Sequence, residues 1–120
     1  MDEEGTALLL YETGAQALLT SSLRLESPRD ARILGTDGSI WIPEPWWKSE
    51  RIVVSHQGLP DRTIDLPRHR NGFIYQIVEM MDLVRSGRTE SEMMPLADSL
   101  AVMRTMDRIR EHWGLRYPME

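Results

Sequence analysis

The hydrophobic period of this chain changes once, near residue 70, and that change confines the fold. Before it, short apolar runs are broken by turn signals roughly every 8–12 residues, with no helical stripe between them. After it, apolar residues recur at helical spacing. Residues 6–11 and 15–26 flank Glu12-Thr13-Gly14 and read as a long β-hairpin, with the glycine free to take positive φ. Ser27-Pro28-Arg29-Asp30 is the next turn, and residues 29–34 and 39–42 form a second hairpin around Gly35-Thr36-Asp37-Gly38. Pro43-Glu44-Pro45 stops that strand, because proline cannot donate to a ladder. Residues 51–57 and 62–66, separated by Gly58-Leu59-Pro60, complete six strands. An antiparallel meander follows, since no helix is available for parallel crossovers.

Two helices close the chain. Phe73, Ile77, Met80 or Met81, and Val84 mark the first, over residues 72–86, with Arg85 in its last turn and Gly87 as its stop. Pro95 suits the start of the second, which runs to about Trp113 before Gly114, with Leu96, Leu100, Met103, Met106 or Asp107, and Trp113 as its stripe. Strands followed by helices indicate an α+β fold: an open sheet of about six strands with both helices on one face. The 120 residues suit a single domain, 1–120.

Two helices can cover only one face of such a sheet. In residues 15–25 the odd positions Ala15, Ala17, Leu19, Leu23 and Leu25 make an apolar face that suits the helices. The even positions Leu18, Thr20 and Ser22 make a smaller, mixed face, and Val53 is set opposite Ile52 and Val54 on its own strand. Leaving Leu8, Leu10, Leu18 and Val53 wet costs hydrophobic free energy, so a partner surface over Leu18, Thr20, Ser22 and Val53 is expected, most simply a second copy of the chain. A solvated face is the alternative.

Composition removes several chemistries. There is no cysteine, hence no disulfide, thiolate nucleophile or zinc–thiolate site. A net charge of −5 gives no general field for nucleic acid; the one tight basic cluster, Arg68-His69-Arg70, is too short for a footprint. No apolar run approaches the roughly 20 residues of a membrane span, and no basic segment precedes the first apolar stretch, so a cytoplasmic protein is expected. The sequence holds neither a dinucleotide-binding G-x-G-x-x-G nor a P-loop. His56, His69 and His112 share no metal-ligand spacing. Asp61 with Asp65 and Glu90 with Glu92 lie in polar surroundings that read as solvated, and Ser21-Ser22 has neither base nor orienter nearby. No catalytic, cofactor-binding or metal-binding residue is assigned. Trp41, Trp46 and Trp47 surround the proline-rich loop and could hold a sugar, a small ligand or a protein, although a loop folded back on the sheet edge explains them more simply.

Taken as a series, the segments resemble a known family. The stretch Glu90-Ser91-x-x-Met94-Pro95-Leu96-x-x-Ser99-Leu100-Ala101-Val102-Met103-x-x-Met106-Asp107-x-Ile109-Arg110, followed by Trp113-Gly114-Leu115-Arg116-Tyr117-Pro118, looks like the end of the Gfo/Idh/MocA oxidoreductases, which include glucose-fructose oxidoreductase and inositol dehydrogenase. Asn71-Gly72-Phe73-x-Tyr75-x-x-x-Glu79, the hairpin Gly35-Thr36-Asp37-Gly38-Ser39-Ile40 and the opening Gly5-Thr6-Ala7 fit in the same order. Gln76, where an acidic residue is frequent, and Glu92, where proline is frequent, depart from the pattern. The resemblance implies the later part of a C-terminal substrate and dimerisation domain that normally follows a Rossmann domain binding NAD(P). The family's Glu-Lys-Pro lysine belongs to that Rossmann domain, and its Asp and His pair to a helix early in the C-terminal domain. Neither region matches any part of this chain, so no catalytic or cofactor residue is carried over. The implied function is a dimerisation and substrate-domain scaffold of an NAD(P)-dependent oxidoreductase, inactive alone. A homodimer or higher oligomer through the sheet face is implied. The alternative is a standalone binding module that uses the sheet face and the tryptophan loop; a further alternative is that a separately encoded Rossmann-domain partner completes the enzyme.

Overall fold

The computed structural model describes residues 3–68 and 71–117, and all that follows concerns those residues. Six strands and two helices appear in the expected order: β1 (Glu4–Leu10), β2 (Gln16–Ser22), β3 (Ala31–Leu34), β4 (Gly38–Ile42), β5 (Arg51–His56), β6 (Arg62–Asp65), α1 (Phe73–Ser86) and α2 (Leu96–His112). The fold is α+β, and every pairing is antiparallel. The strands do not form one sheet, however. β1 and β2 make a two-stranded sheet, and β3-β4-β5-β6 make a four-stranded meander. The break has a local cause. The Ser22 hydroxyl accepts the N–H groups of both Arg24 and Leu25 at 3.0 Å, which turns the chain out of the ladder. Leu23 and Leu25, expected on the apolar face of the second strand, therefore lie outside β2 and are exposed.

The chain divides into two compact units. One contains residues 1–26 and 75–120, hence the β1–β2 hairpin and nearly all of both helices; the other, residues 27–74, is the meander. In the hairpin unit, the turn is closed by Tyr11 N–H donating to the Ala15 carbonyl at 3.0 Å and Gly14 N–H donating to the Tyr11 carbonyl at 2.9 Å. Gly14 has φ of 85°, the left-handed conformation the sequence calls for. Leu8 stands opposite Leu18, Thr6 opposite Thr20 and Glu4 opposite Ser22 on one face of the hairpin, while Gly5, Ala7 and Leu9 stand opposite Ser21, Leu19 and Ala17 on the other.

Both helices end in the same hydrogen-bond pattern. After α1, Arg88 N–H donates to the Leu83 carbonyl (3.0 Å) and Gly87 N–H to that of Val84 (3.2 Å); after α2, Leu115 N–H donates to Arg110 and Gly114 N–H to Glu111, each at 3.0 Å. These are Schellman closures, with Gly87 at φ 67° and Gly114 at φ 62°. The start of α2 is capped from a distance: the Glu90 carboxylate accepts the Leu96 N–H at 2.6 Å. The Ser91 hydroxyl donates to Glu79 of α1 at 2.6 Å and accepts the Met93 N–H at 3.1 Å, which ties the connecting loop to α1. Leu83 is the one buried hydrophobic residue described. The expected stripes of α1 (Phe73, Ile77, Met80, Met81, Val84) and α2 (Leu96, Leu100, Met103, Met106, and Trp113 at 43%) are all exposed.

In the meander, directly opposed residues share a face. Ile33, Ile40 and Val54 form one cross-strand row, and Ala31 with Ile42 and Ile52 with Ile64 lie on that same side. The opposite side carries the row Arg32, Trp41, Val53 and Thr63. Gly38 does not take positive φ in its turn. Its role is close approach: a Cβ there would run into the Ser55 carbonyl oxygen and stand 3.1 Å from the His56 Cα. Gly38→Ala is therefore expected to destabilise the meander by about 1–3 kcal/mol. Gly35→Ala, whose Cβ would meet only the Gly38 carbonyl at 3.5 Å, should move the unfolding midpoint far less. Chemical denaturation of the two variants side by side checks this.

Candidate functional site

The residues expected to make a partner surface fall on two different sheets. Leu18, Thr20 and Ser22 are on β2, while Val53 is on β5 of the meander. On the hairpin, Leu18 and Thr20 join Leu8, Thr6 and Leu10 on one face. That face is open: Leu8, Leu10 and Leu18 are 57%, 70% and 70% exposed. Ser22 is half-buried and its hydroxyl is committed to the turn that ends the strand. Val53 stands opposite Trp41, in the row with Arg32 and Thr63.

Apolar surface is uncovered well beyond this patch. The chain exposes 11037 Å². Two compact folded units of these sizes, counted wholly apart, would expose roughly 8,000 Å² by the surface scaling of globular proteins. The excess, roughly 3,000 Å² on this one chain, is more than the roughly 1,000–2,500 Å² that each partner contributes to most permanent subunit interfaces.

Trp41, Trp46 and Trp47 all lie in the meander unit but are held differently. Trp41 is fixed from two sides: its indole N–H donates to Asp30 Oδ2 at 2.7 Å, and the Arg32 guanidinium lies 5.6 Å from its ring centroid. Arg32 Nε also donates to Asp30 Oδ2 at 3.3 Å. Trp46 and Trp47 belong to a short 3₁₀ turn, Trp46–Lys48, and meet edge to face with centroids 6.1 Å apart. Each is 53% exposed. The loop that carries them folds back on the approach to the edge strand β3: Trp46 N–H donates to the Arg29 carbonyl at 2.8 Å, and Arg29 faces Glu44 at 3.8 Å. An open cleft beside the loop is lined by Pro43, Glu44, Lys48, Ser49, Arg51 and Asp65, and by none of the three tryptophans.

Asp30 and Arg32 were not among the expected site residues, although hairpin register sets Arg32 opposite Trp41. Glu90, read as merely solvated, caps α2. His56 ends β5 with Nδ1 3.1 Å from the Gln57 carbonyl oxygen, and His112 closes α2. His69 and Arg70 lie outside the described residues. Among the described residues no group of three or more histidine and acidic side chains could hold a metal ion, and no helix is long and apolar enough to cross a membrane.

The Trp41 hydrogen bond, aided by Arg32 and opposed by partial burial, holds the Asp30 carboxyl below its ordinary value of 3.8. A carboxyl depressed in the folded state adds stability that is complete above the unfolded value and disappears as pH falls through the folded one. Wild type is thus expected to lose its stability margin over Asp30→Asn as pH drops below about 3.8. The margin should stay flat from there to neutrality, as read from unfolding midpoints across pH.

No protein-family model matches the chain. Comparison with curated proteins finds dehydrogenases. Trans-1,2-dihydrobenzene-1,2-diol dehydrogenase of Xenopus tropicalis is 31% identical over 126 residues, covering 98% of this chain and 37% of that protein. The scyllo-inositol 2-dehydrogenase (NADP(+)) IolU of Bacillus subtilis is 29% identical over the whole chain and 36% of its own length. The human dihydrobenzenediol dehydrogenase is 23% identical, again over the whole chain and 37% of its length. The chain is therefore similar, from end to end, to a little over a third of dehydrogenases from animals and a bacterium.

Proposed function

We propose that the chain is a C-terminal portion of an NAD(P)-dependent oxidoreductase of the Gfo/Idh/MocA type, one domain that serves subunit association and supports the substrate side without hydride transfer of its own. The observation that carries this is end-to-end similarity to dehydrogenases of which the chain spans only about 37%. The name of the Bacillus relative specifies NADP(+), which supports a nicotinamide cofactor for a complete enzyme of this kind. Both named activities act on ring diols or polyols, so a cyclic diol is the substrate class of choice.

The apolar exposure supports the same reading. A piece that belongs to a larger assembly leaves uncovered the surfaces its neighbours would bury. On the hairpin, Leu8, Leu10, Leu18, Thr6 and Thr20 form a flat patch of the kind a second copy covers by presenting the same patch to itself. Val53 and the Trp46–Trp47 pair lie in the meander unit and would make separate contacts. No arrangement of acid, base or nucleophile is assigned to either unit.

Two measurements test the proposal. Titration calorimetry of the 120-residue chain with NAD(H) and NADP(H) should show no heat of binding; micromolar affinity would overturn the reading. Light scattering should find a dimer or larger species, and Leu18→Arg should shift it towards monomer, because the patch cannot bury an unpaired guanidinium. A chain that stays monomeric at high concentration would remove the association role.

A further inference from the structure

The open leucine–threonine face of the hairpin has a back, and one side chain from the far end of the sequence sits on it. Gly5 of β1 belongs to the side opposite Leu8, Leu18 and Thr20. The indole of Trp113, the residue that caps the C-terminus of α2, occupies the space where a side chain at position 5 would stand. A Cβ on Gly5 would fall among the six-membered-ring atoms, against Cη2 and 3.0 Å from both Cζ2 and Cζ3. No residue with a side chain fits at position 5 while the ring keeps its place. Trp113 is itself held on both sides along the chain. Its N–H donates to the Ile109 carbonyl at 3.1 Å, and the Schellman closure through Gly114 and Leu115 fixes the turn that follows. Beyond it, the Tyr117 ring lies 4.6 Å from the Arg110 guanidinium carbon, drawing the tail back along α2.

We infer that Trp113 is a positioning residue for the hairpin's open face. Seated on the Gly5 notch, it sets the tilt of β1 and β2 and so the presentation of Leu8, Leu18 and Thr20 to a second copy of the chain. A two-stranded sheet is marginal on its own, and its twist follows what packs behind it. Here the packing behind Gly5 is a rigid ring with two rotatable bonds, fixed to the end of a 17-residue helix. The surface at one end of the chain thereby depends on the turn at the other. The inference extends the association role proposed above and is read separately from it.

The test uses Gly5→Ala, Trp113→Leu and the double variant of the 120-residue chain. Methyl NMR follows Leu8, Leu18 and Thr20, 5-fluorotryptophan reports the Trp113 ring, and sedimentation equilibrium gives self-association. Both single variants should move the three methyl resonances. Gly5→Ala should also displace the Trp113 fluorine signal. Each should weaken self-association about tenfold, with the double variant no weaker than the worse single, because one contact is lost in all three. Methyl resonances that stay at their wild-type positions while the Trp113 signal moves would overturn the inference, as would additive effects. Should Gly5→Ala fail to fold, Trp113→Leu, which needs no extra room, decides alone: unmoved methyls reject the positioning role and moved ones support it. A monomeric wild type removes the association role, and the methyl response still decides the positioning one.

Discussion

Hydrophobic surface that the chain makes but does not cover governs everything else about it. β1 alternates between half-buried and exposed residues, as half-buried strands do, whereas β2 is exposed at most positions on both sides, Leu19 included. The helices carry clear apolar stripes, yet the one buried hydrophobic residue described is Leu83, which lies outside both expected stripes. Burial supplies the main favourable term in folding, at about 25 cal/mol per Å² of apolar area. Surface left wet on this scale forgoes tens of kcal/mol in that bookkeeping, against a net stability of roughly 5–15 kcal/mol for ordinary domains. What holds the described structure locally is therefore hydrogen bonding and turn chemistry: two Schellman closures, the Glu90 cap, the Ser22 turn and the Ser91–Glu79 link.

That division between local order and uncovered surface connects the structure with the dehydrogenase similarity. Proteins nearly three times as long are similar to this chain from end to end, and the proposed role as one part of such a molecule accounts for faces left open. The leucines of the hairpin and the methionines of the helices are exposed apolar surface of the kind the proposed association role would use. Methionine suits such surfaces because its unbranched, polarisable side chain adapts to what packs on it.

Elements governed by local rules were legible in the sequence, and those governed by distant contacts were not. All six strands and both helices lie where turn residues and apolar period put them, with several boundaries unmoved and none shifted by more than four residues. Gly14, Gly87 and Gly114 take the positive φ expected of a turn and two helix stops. The division into two sheets was hidden because it depends on a serine hydroxyl that captures two N–H groups, and Ser22 alone does not announce this. Gly38 belongs to the expected turn, but the structure also uses its missing Cβ to pass the Ser55 carbonyl, a contact the turn residues alone do not announce. Trp41 stood out as an aromatic near a loop, but the Asp30 and Arg32 that fix it emerge only from the β3–β4 register.

The contact between Gly5 and Trp113 shows how much of a surface's chemistry can reside behind it. Nothing on the leucine–threonine face distinguishes it from an ordinary half-apolar strand surface, and its residues alone would permit many tilts of a two-stranded ribbon. A notch and a ring reduce that freedom, because the indole takes the space a side chain at position 5 would need. A glycine inside a strand gives up side-chain packing and is costly in backbone entropy, so its presence calls for a compensating contact. In β1 that contact is an indole anchored by a closed helix end. The first strand and the last helical turn therefore behave as one element, and residues chosen at either end are constrained by the other.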